Sequence, residues 1–321
     1  MDANNIGALN MGSTPLSRRD LLAAGTAATF AGLALPANAA PRKNAKRGRA
    51  MRFAHLTDVH VQPDLGGGEG FAACLHHVQS QDDAPEFIVF GGDNVMNVDG
   101  EEGRAHANVQ INLWNSVLKS ECSLPYACAI GNHDVLGNDP VAGKQWAVDA
   151  YALPGRCYTL DRAGWRFIFL DSTLPEGGGY KGKLDDPQFE WLTQVLKQTK
   201  PETPVCIVSH IPIIAACAYL CVEEPPTGDW QVPGSWMHID AHRIKDLFVK
   251  HPNVRLCLSG HMHMADAISY LGVTYACNGA VSGGWWKGPY HEFNPGYALV
   301  DLYQDGSTQV SFVNYEWTPR E

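Results

Sequence analysis

Eight polar side chains stand where apolar runs of this chain stop, and their types could do chemistry together. TDVH (57–60) brings Asp58 and His60, GGDN (91–94) brings Asp93, and GNHD (131–134) brings Asn132 and His133. SH (209–210) ends another run with His210, and GHMH (260–263) ends a further one with His261 and His263. Each has an ordinary alternative when taken singly. Asp58 could cap a helix, Asp93 with Asn94 could form a turn, and a buried histidine is commonly a satisfied core residue. Five separate segments that all stop at Asp, Asn or His are harder to explain by caps and turns alone.

Imidazole and carboxylate together suit zinc, manganese or iron. One ion needs three or four ligands; this set exceeds that, so two ions fit it better. No cysteine belongs to the set, which disfavours a structural zinc site. Two divalent ions outweigh the charge of the two carboxylates, Asp58 and Asp93. Such a site stays cationic inside a chain of net charge −10 and favours an anion such as a phosphate ester. Two ions a few Å apart can clamp the attacking and leaving oxygens of a displacement at phosphorus.

The elements that must position these residues are legible in the apolar pattern. MRFAHLT (51–57), EFIVFGG (86–92) and LPYACAI (124–130) read as buried strands, with helices over 70–82 and 104–119 between them. CYTLDRAGWRFIFLDS (157–172) reads as two strands around a turn at Ala163–Gly164. A helix at 186–199, a strand at 204–210, a helix near 239–250 and a strand at 254–260 come after it, and the C-terminal part is strand-rich. The alternation implies an α/β fold, and the hairpins imply mixed sheets. Ligands bind at the C-terminal edge of such sheets, which is where all five motifs fall. The long stretch 211–238, with its prolines and aromatic residues, is a candidate substrate-side loop.

Bulk properties narrow the classes. Of 321 residues, 45% are hydrophobic and 18% charged, as in a globular protein rather than a disordered one. The negative net charge argues against a general nucleic-acid binder. Arg18 and Arg19 in SRRDLL precede a run rich in Ala and Gly and then ANAA (37–40). That is the plan of a cleaved export signal of twin-arginine type, with cleavage after Ala39. Residues 1–39 are therefore expected to address the chain to twin-arginine export machinery, 40–50 to be a basic linker, and 51–321 to be the functional domain. The expected location is periplasmic or secreted, with no permanent membrane span. Nine cysteines lie beyond the leader, most of them in apolar strand-like runs that suit small buried side chains. Cys217 and Cys221 lie within 211–238 and could pair in an oxidising compartment.

In order and spacing, DVH, GGDN, GNHD, SH and GHMH resemble the calcineurin-like metallophosphoesterase superfamily over roughly residues 53–263. The resemblance implies an α/β fold built as a four-layer αββα sandwich of two mixed β-sheets, with a dimetal site at the sheet edge. It implies that Asp58, His60, Asp93 and His263 hold one metal. Asp93, Asn132, His210 and His261 would hold the other, with Asp93 bridging; manganese, iron or zinc would serve. His133 would then face the substrate, stabilising phosphate charge or protonating the leaving oxygen. Asp134 would orient His133 or cap the segment after it. Met96 stands where purple acid phosphatases place a tyrosine ligand, and the Asp-Arg-Gly of the superfamily's protein phosphatases is missing. The compact pattern is more similar to the class III cyclic-nucleotide phosphodiesterases and related bacterial phosphoesterases. It implies hydrolysis of a small phosphorylated substrate, a diester first, with an exported phosphomonoesterase and a non-catalytic scaffold as alternatives. In NGAVSGGWWKGPYHEFNPGY (278–297), Trp285 and Trp286 could stack on a flat organic group of that substrate.

Overall fold

A computed structural model describes residues 48–98, 103–135, 140–221 and 228–319. The expected export signal with Arg18 and Arg19, and residues 40–47 of the expected linker, lie outside them. The linker ends earlier than expected: Arg49 and Ala50 already belong to β1 (Arg49–Leu56). Arg49 and Arg52 pair with Asp83 and Asp301 and tie that end of the strand down.

β1 lies in the middle of a five-stranded sheet. On one side run β2 (Ile88–Phe90) and then β3 (Tyr126–Cys128), both parallel to it. On the other, β12 (Gly296–Tyr303) and β13 (Thr308–Asn314) form an antiparallel ribbon. The second sheet has six strands. Its order is β10 (Asp266–Tyr270), β11 (Val273–Cys277), β9 (Val254–Ser259), β8 (Val205–Ser209), β5 (Trp165–Leu170) and β4 (Tyr158–Arg162). The inner four are parallel, and both edge strands are antiparallel.

Period-two alternation sorts side chains into layers. In β1, Phe53 faces the second sheet and meets Phe167 edge-on, with ring centroids 5.5 Å apart. Ala54 and Leu56 face the other way, into a core shared with α1 (Gly67–Gln79), α2 (Gly103–Glu121) and α3 (Pro140–Ala150). In β5, Phe167 and Phe169 face inward, while Ile168 and Leu170 pack against α4 (Asp186–Gln198) and α5 (Ala241–Val249). Burying each such side chain contributes about 1.5–3 kcal/mol. Three apolar layers between helix, sheet, sheet and helix make the αββα sandwich.

Two elements have no counterpart in the apolar pattern. α3 carries Gly143 and little amphipathic contrast, and the hairpin β6 (Thr173–Glu176)/β7 (Gly179–Gly182) reads as a loop because of Pro175 and Gly177–Gly179. β2 and β3 keep only three residues each, because the chain leaves the ladder early and turns to deliver Asp93, Asn132 and His133. No helix among the described residues is long and apolar enough to cross a membrane.

Candidate metal centre

Parallel strands β1, β2 and β3 release Asp58, His60, Asp93, Asn132 and His133 at their C-terminal ends, and β8 and β9 release His210, His261 and His263. Sharp turns then bring these side chains to one place. Asp58, His60, Asp93, His261 and His263 all have φ between 47° and 69°, a region that non-glycine residues avoid. Such strain, of order 1–3 kcal/mol per residue, persists where the surroundings over-determine it, commonly at functional sites. Gly131 is required by close approach: a Cβ there would sit 2.1 Å from the Asp93 carboxylate.

Two groups of ligand atoms result, each within 4.8 Å: Asp58, His60 and His263, and Asp93, His210 and His261. His60 links them, its Nε2 lying 3.1 Å from His263 Nε2 and 3.7 Å from Asp93 Oδ2. Asp93 also groups with His60 and His133, so distance alone does not separate His133 from the ligands. Its side chain is 29% exposed, and His261 and Asn132 are part-buried too, whereas His60 and His210 are wholly buried.

Three imidazoles have a fixed tautomer. His133 Nδ1 donates to Met96 O at 2.5 Å, His210 Nδ1 to Gly91 O at 3.0 Å, and His263 Nδ1 to Gly283 O at 2.5 Å. A carbonyl only accepts, so Nδ1 carries the proton and each Nε2 is directed to the centre as a base or ligand. The Asp58 carboxylate accepts from Thr57 Oγ and the His261 backbone N–H, which joins the two sheets' turns. Asp93 Oδ1 accepts the backbone N–H of His133 at 2.8 Å.

The electrostatics call for cations. Burial alone would raise Asp58 and Asp93, but His263 and His210 hold Asp58 well below the usual carboxylate range, and His210 and His133 do the same for Asp93. Burial pushes His210 down, yet the Asp93 and Asp58 carboxylates outweigh it and lift the ring to about 9. His261, more affected by burial and by His210, falls to about 4. Asn132 Oδ1 and His210 Nε2 are buried without a hydrogen-bond partner among the described residues; the latter is 3.1 Å from Asp93 Oδ2 but out of hydrogen-bond alignment. An orphaned Asn132 oxygen, two buried carboxylates and a histidine that they hold protonated fit a metal pair, which would take that proton's place on His210 Nε2.

The family model for calcineurin-like phosphoesterases matches residues 51–265. This chain belongs to that family. It is a metal-dependent phosphoester hydrolase, with the buried Asp/His cluster suited to a dimetal centre. A probable cyclic nucleotide phosphodiesterase of Psychrobacter sp. (strain PRwf-1) is 25% identical over 85% of this phosphoesterase and 76% of its own length. One from Synechococcus sp. (strain ATCC 27144) is 25% identical over 82% and 93%. Among solved structures, a dimetal phosphatase of Danio rerio matches with TM-score 0.57 and 14% identity, over 84% of this chain and all of that one. GAP50, the anchor in the inner membrane complex of Plasmodium, matches with TM-score 0.52 and 17% identity, over 83% and 85%. At these identities the structural likenesses speak for the fold alone.

The tandem tryptophans separate, which corrects the expectation for one of them. Trp286 is fully buried; its Nε1 donates to His60 O, and its ring fills the space left by the missing side chain of Gly70. It braces the His60 turn from behind and cannot line a pocket. Trp285 is half-buried, with its ring centroid 4.4 Å from that of His263 and 6.1 Å from that of His60. Both tryptophans have positive φ, 53° and 70°, so the chain accepts strain to point one in and one out. All nine cysteines are free: Cys217 hydrogen-bonds to Cys277, and Cys221 to Tyr290. The described part of 211–238 holds one short helical turn, Cys217–Tyr219.

Several supporting groups escape a sequence reading. Asp134 accepts from Gly131 N, Asn94 N, Asn94 Nδ2, Val95 N and Tyr151 OH, stapling the GGDN and GNHD turns together. Burial and the nearby Asp93 charge lift it to about 6. On the other sheet His238 bridges Ser209 Oγ and Asp240 behind His210. The carbonyls of Met96, Gly91 and Gly283 have no side-chain signature at all. Only Asp134, inside GNHD, carried a signal.

Proposed function

We propose that this phosphoesterase is an exported phosphodiesterase acting on small organic diesters, cyclic nucleotides among them. The observation that carries the reading is a pair of ligand triplets meeting at Asp93 and His60, with the part-exposed His133 beside them and Trp285 at one end. Two relatives named as probable cyclic nucleotide phosphodiesterases support the substrate class. Asp58, His60, Asp93 and His263 would hold one ion, and Asp93, Asn132, His210 and His261 the other. A pair of manganese, iron or zinc ions there would supply Lewis acidity and a nucleophile from water at neutral pH.

His133 works differently from its neighbours. Its Nδ1–H is committed to Met96 O, so Nε2 is the atom that exchanges a proton with the leaving oxygen or steadies phosphate charge. Asn132 supplies a neutral oxygen. Trp285 meets the organic arm of the ester. The complete ligand set weighs against a non-catalytic scaffold.

Metal analysis of the purified mature protein, then a panel of mono-, di- and triesters, tests the reading. Two transition metals per chain and a preference for diesters are expected, with chelation abolishing turnover. Turnover of monoesters alone would replace it with an exported phosphomonoesterase. The export half is tested separately, because Arg18 and Arg19 are what a twin-arginine receptor would read. Replacing both by lysine should leave the precursor in the cytoplasm; undiminished export would remove that assignment.

A further inference from the structure

Trp285 has an aromatic counterpart beside the other triplet. Tyr180, on β7, places its ring centroid 6.1 Å from that of His261, at 77°. Trp285 lies against His263. His263 belongs to the Asp58 triplet and His261 to the Asp93–His210 triplet. The two aromatic side chains therefore touch histidines of different triplets, and both are half-buried. Neither is held loosely. Trp285 touches Tyr290 edge-on, and its neighbour Trp286 is locked in the core. Tyr180 stands on a hairpin whose Gly182 bridges to His238 and presses on Ile211, the residue after His210; a Cβ at Gly182 would come within 2.7 Å of that isoleucine. The same packing that sets His210 thus sets Tyr180.

We propose that Tyr180 and Trp285 are the two walls of one cleft, which takes a phosphodiester with a planar group on each ester arm. The inference rests on the diesterase reading and narrows it to linear diesters, since a cyclic nucleotide with its single base could use one wall only. A phosphate seated between the triplets sends one arm of a linear diester toward each end, and each arm meets an aromatic face. A monoester has one arm and can use one wall only. Stacking on an aromatic side chain tolerates any flat group, so the cleft selects for arm number and planarity rather than for one base.

Three substrates with the same leaving group separate the possibilities: bis(4-nitrophenyl) phosphate, methyl 4-nitrophenyl phosphate and 4-nitrophenyl phosphate. Tyr180→Ala and Trp285→Ala should each raise KM for the two-armed ester about ten-fold, a typical loss for one stacking contact, with kcat and metal content little changed. In-line displacement fixes the end at which the aryl leaving group sits, so one single variant should weaken the methyl ester and the monoester as well, and the other should leave both close to wild type. The double variant should weaken both diesters. Tyr180→Phe keeps the ring and should keep the wild-type KM. A Tyr180→Ala enzyme with unchanged KM for the two-armed ester overturns the inference while leaving the diesterase reading intact. So does an equal loss for all three substrates in both single variants, or a Tyr180→Phe variant as impaired as Tyr180→Ala. A wild type that cleaves only the monoester overturns both.

Discussion

The five-stranded sheet contributes Asp58, His60, Asp93, Asn132 and His133, whereas the six-stranded sheet contributes His210, His261 and His263. One sheet thus brings both carboxylates, and the other brings imidazoles alone. Each triplet also straddles the divide: Asp58 and His60 need His263, and Asp93 needs His210 and His261. Neither sheet owns a complete site. Two buried carboxylates on one sheet edge are a liability until counter-charge arrives, and here it comes from the facing sheet and from the ions the cluster would hold. Docking of the sheets should therefore assemble the site.

The division can be tested at its hinge first. Asp93→Ala removes the carboxylate common to both proposed ion sites; both ions should be lost and turnover should vanish, as read by metal analysis and assay side by side. Retention of one ion would mean that the two sites are more independent than the straddled geometry implies.

Next comes His133, which sits on the carboxylate side yet is assigned no ion. His133→Ala should leave metal content unchanged and lower kcat by about two to four orders of magnitude. The loss should be larger for alkoxide than for nitrophenolate leaving groups. Loss of metal would make it a ligand, and equal loss for every leaving group would make it a stabiliser of phosphoryl charge rather than an acid. Asn132→Ala, its neighbour, should instead weaken the second ion and recover partly when metal is added.

Phe167 probes the interface between the sheets without touching a ligand. Its ring meets Phe53 of β1 and Phe87 just ahead of β2. Phe167→Ala should cost about 3–5 kcal/mol of stability, read by denaturant unfolding, and should weaken both ions together. Unchanged metal affinity in the folded variant would uncouple docking from site assembly.

The smallest effect is expected from the imidazole side's own support. His238→Ala breaks the bridge between Ser209 and Asp240, and about 1–3 kcal/mol should be lost through the polar groups left unpaired. Asp134→Ala, which strips five hydrogen bonds from the carboxylate side, should destabilise more. The reverse order would show that the His210 turn, not the Asp93 turn, is the better braced.

The sequence by itself determined the ligand types, their order and the strands that carry them. Apolar runs ending in Asp, Asn or His are local facts, and strands β1, β5, β8 and β9 form where those runs lie because alternate residues must be buried on both faces. Trp285 and Trp286 were a different matter. As adjacent residues they are equivalent in any local reading, and only the positive φ of both, with Gly70 leaving room for one indole, sends Trp286 into the core and Trp285 to the site. Tyr180 lay hidden in a glycine-rich stretch whose strand character comes from pairing across the hairpin and with His238, not from its own residues. The backbone carbonyls that fix His133, His210 and His263 belong to residues of no special type. Side-chain chemistry is written residue by residue. Which of two neighbours faces the site, and which carbonyl aims each ring, depends on where distant segments pack, and only the tertiary structure decides that.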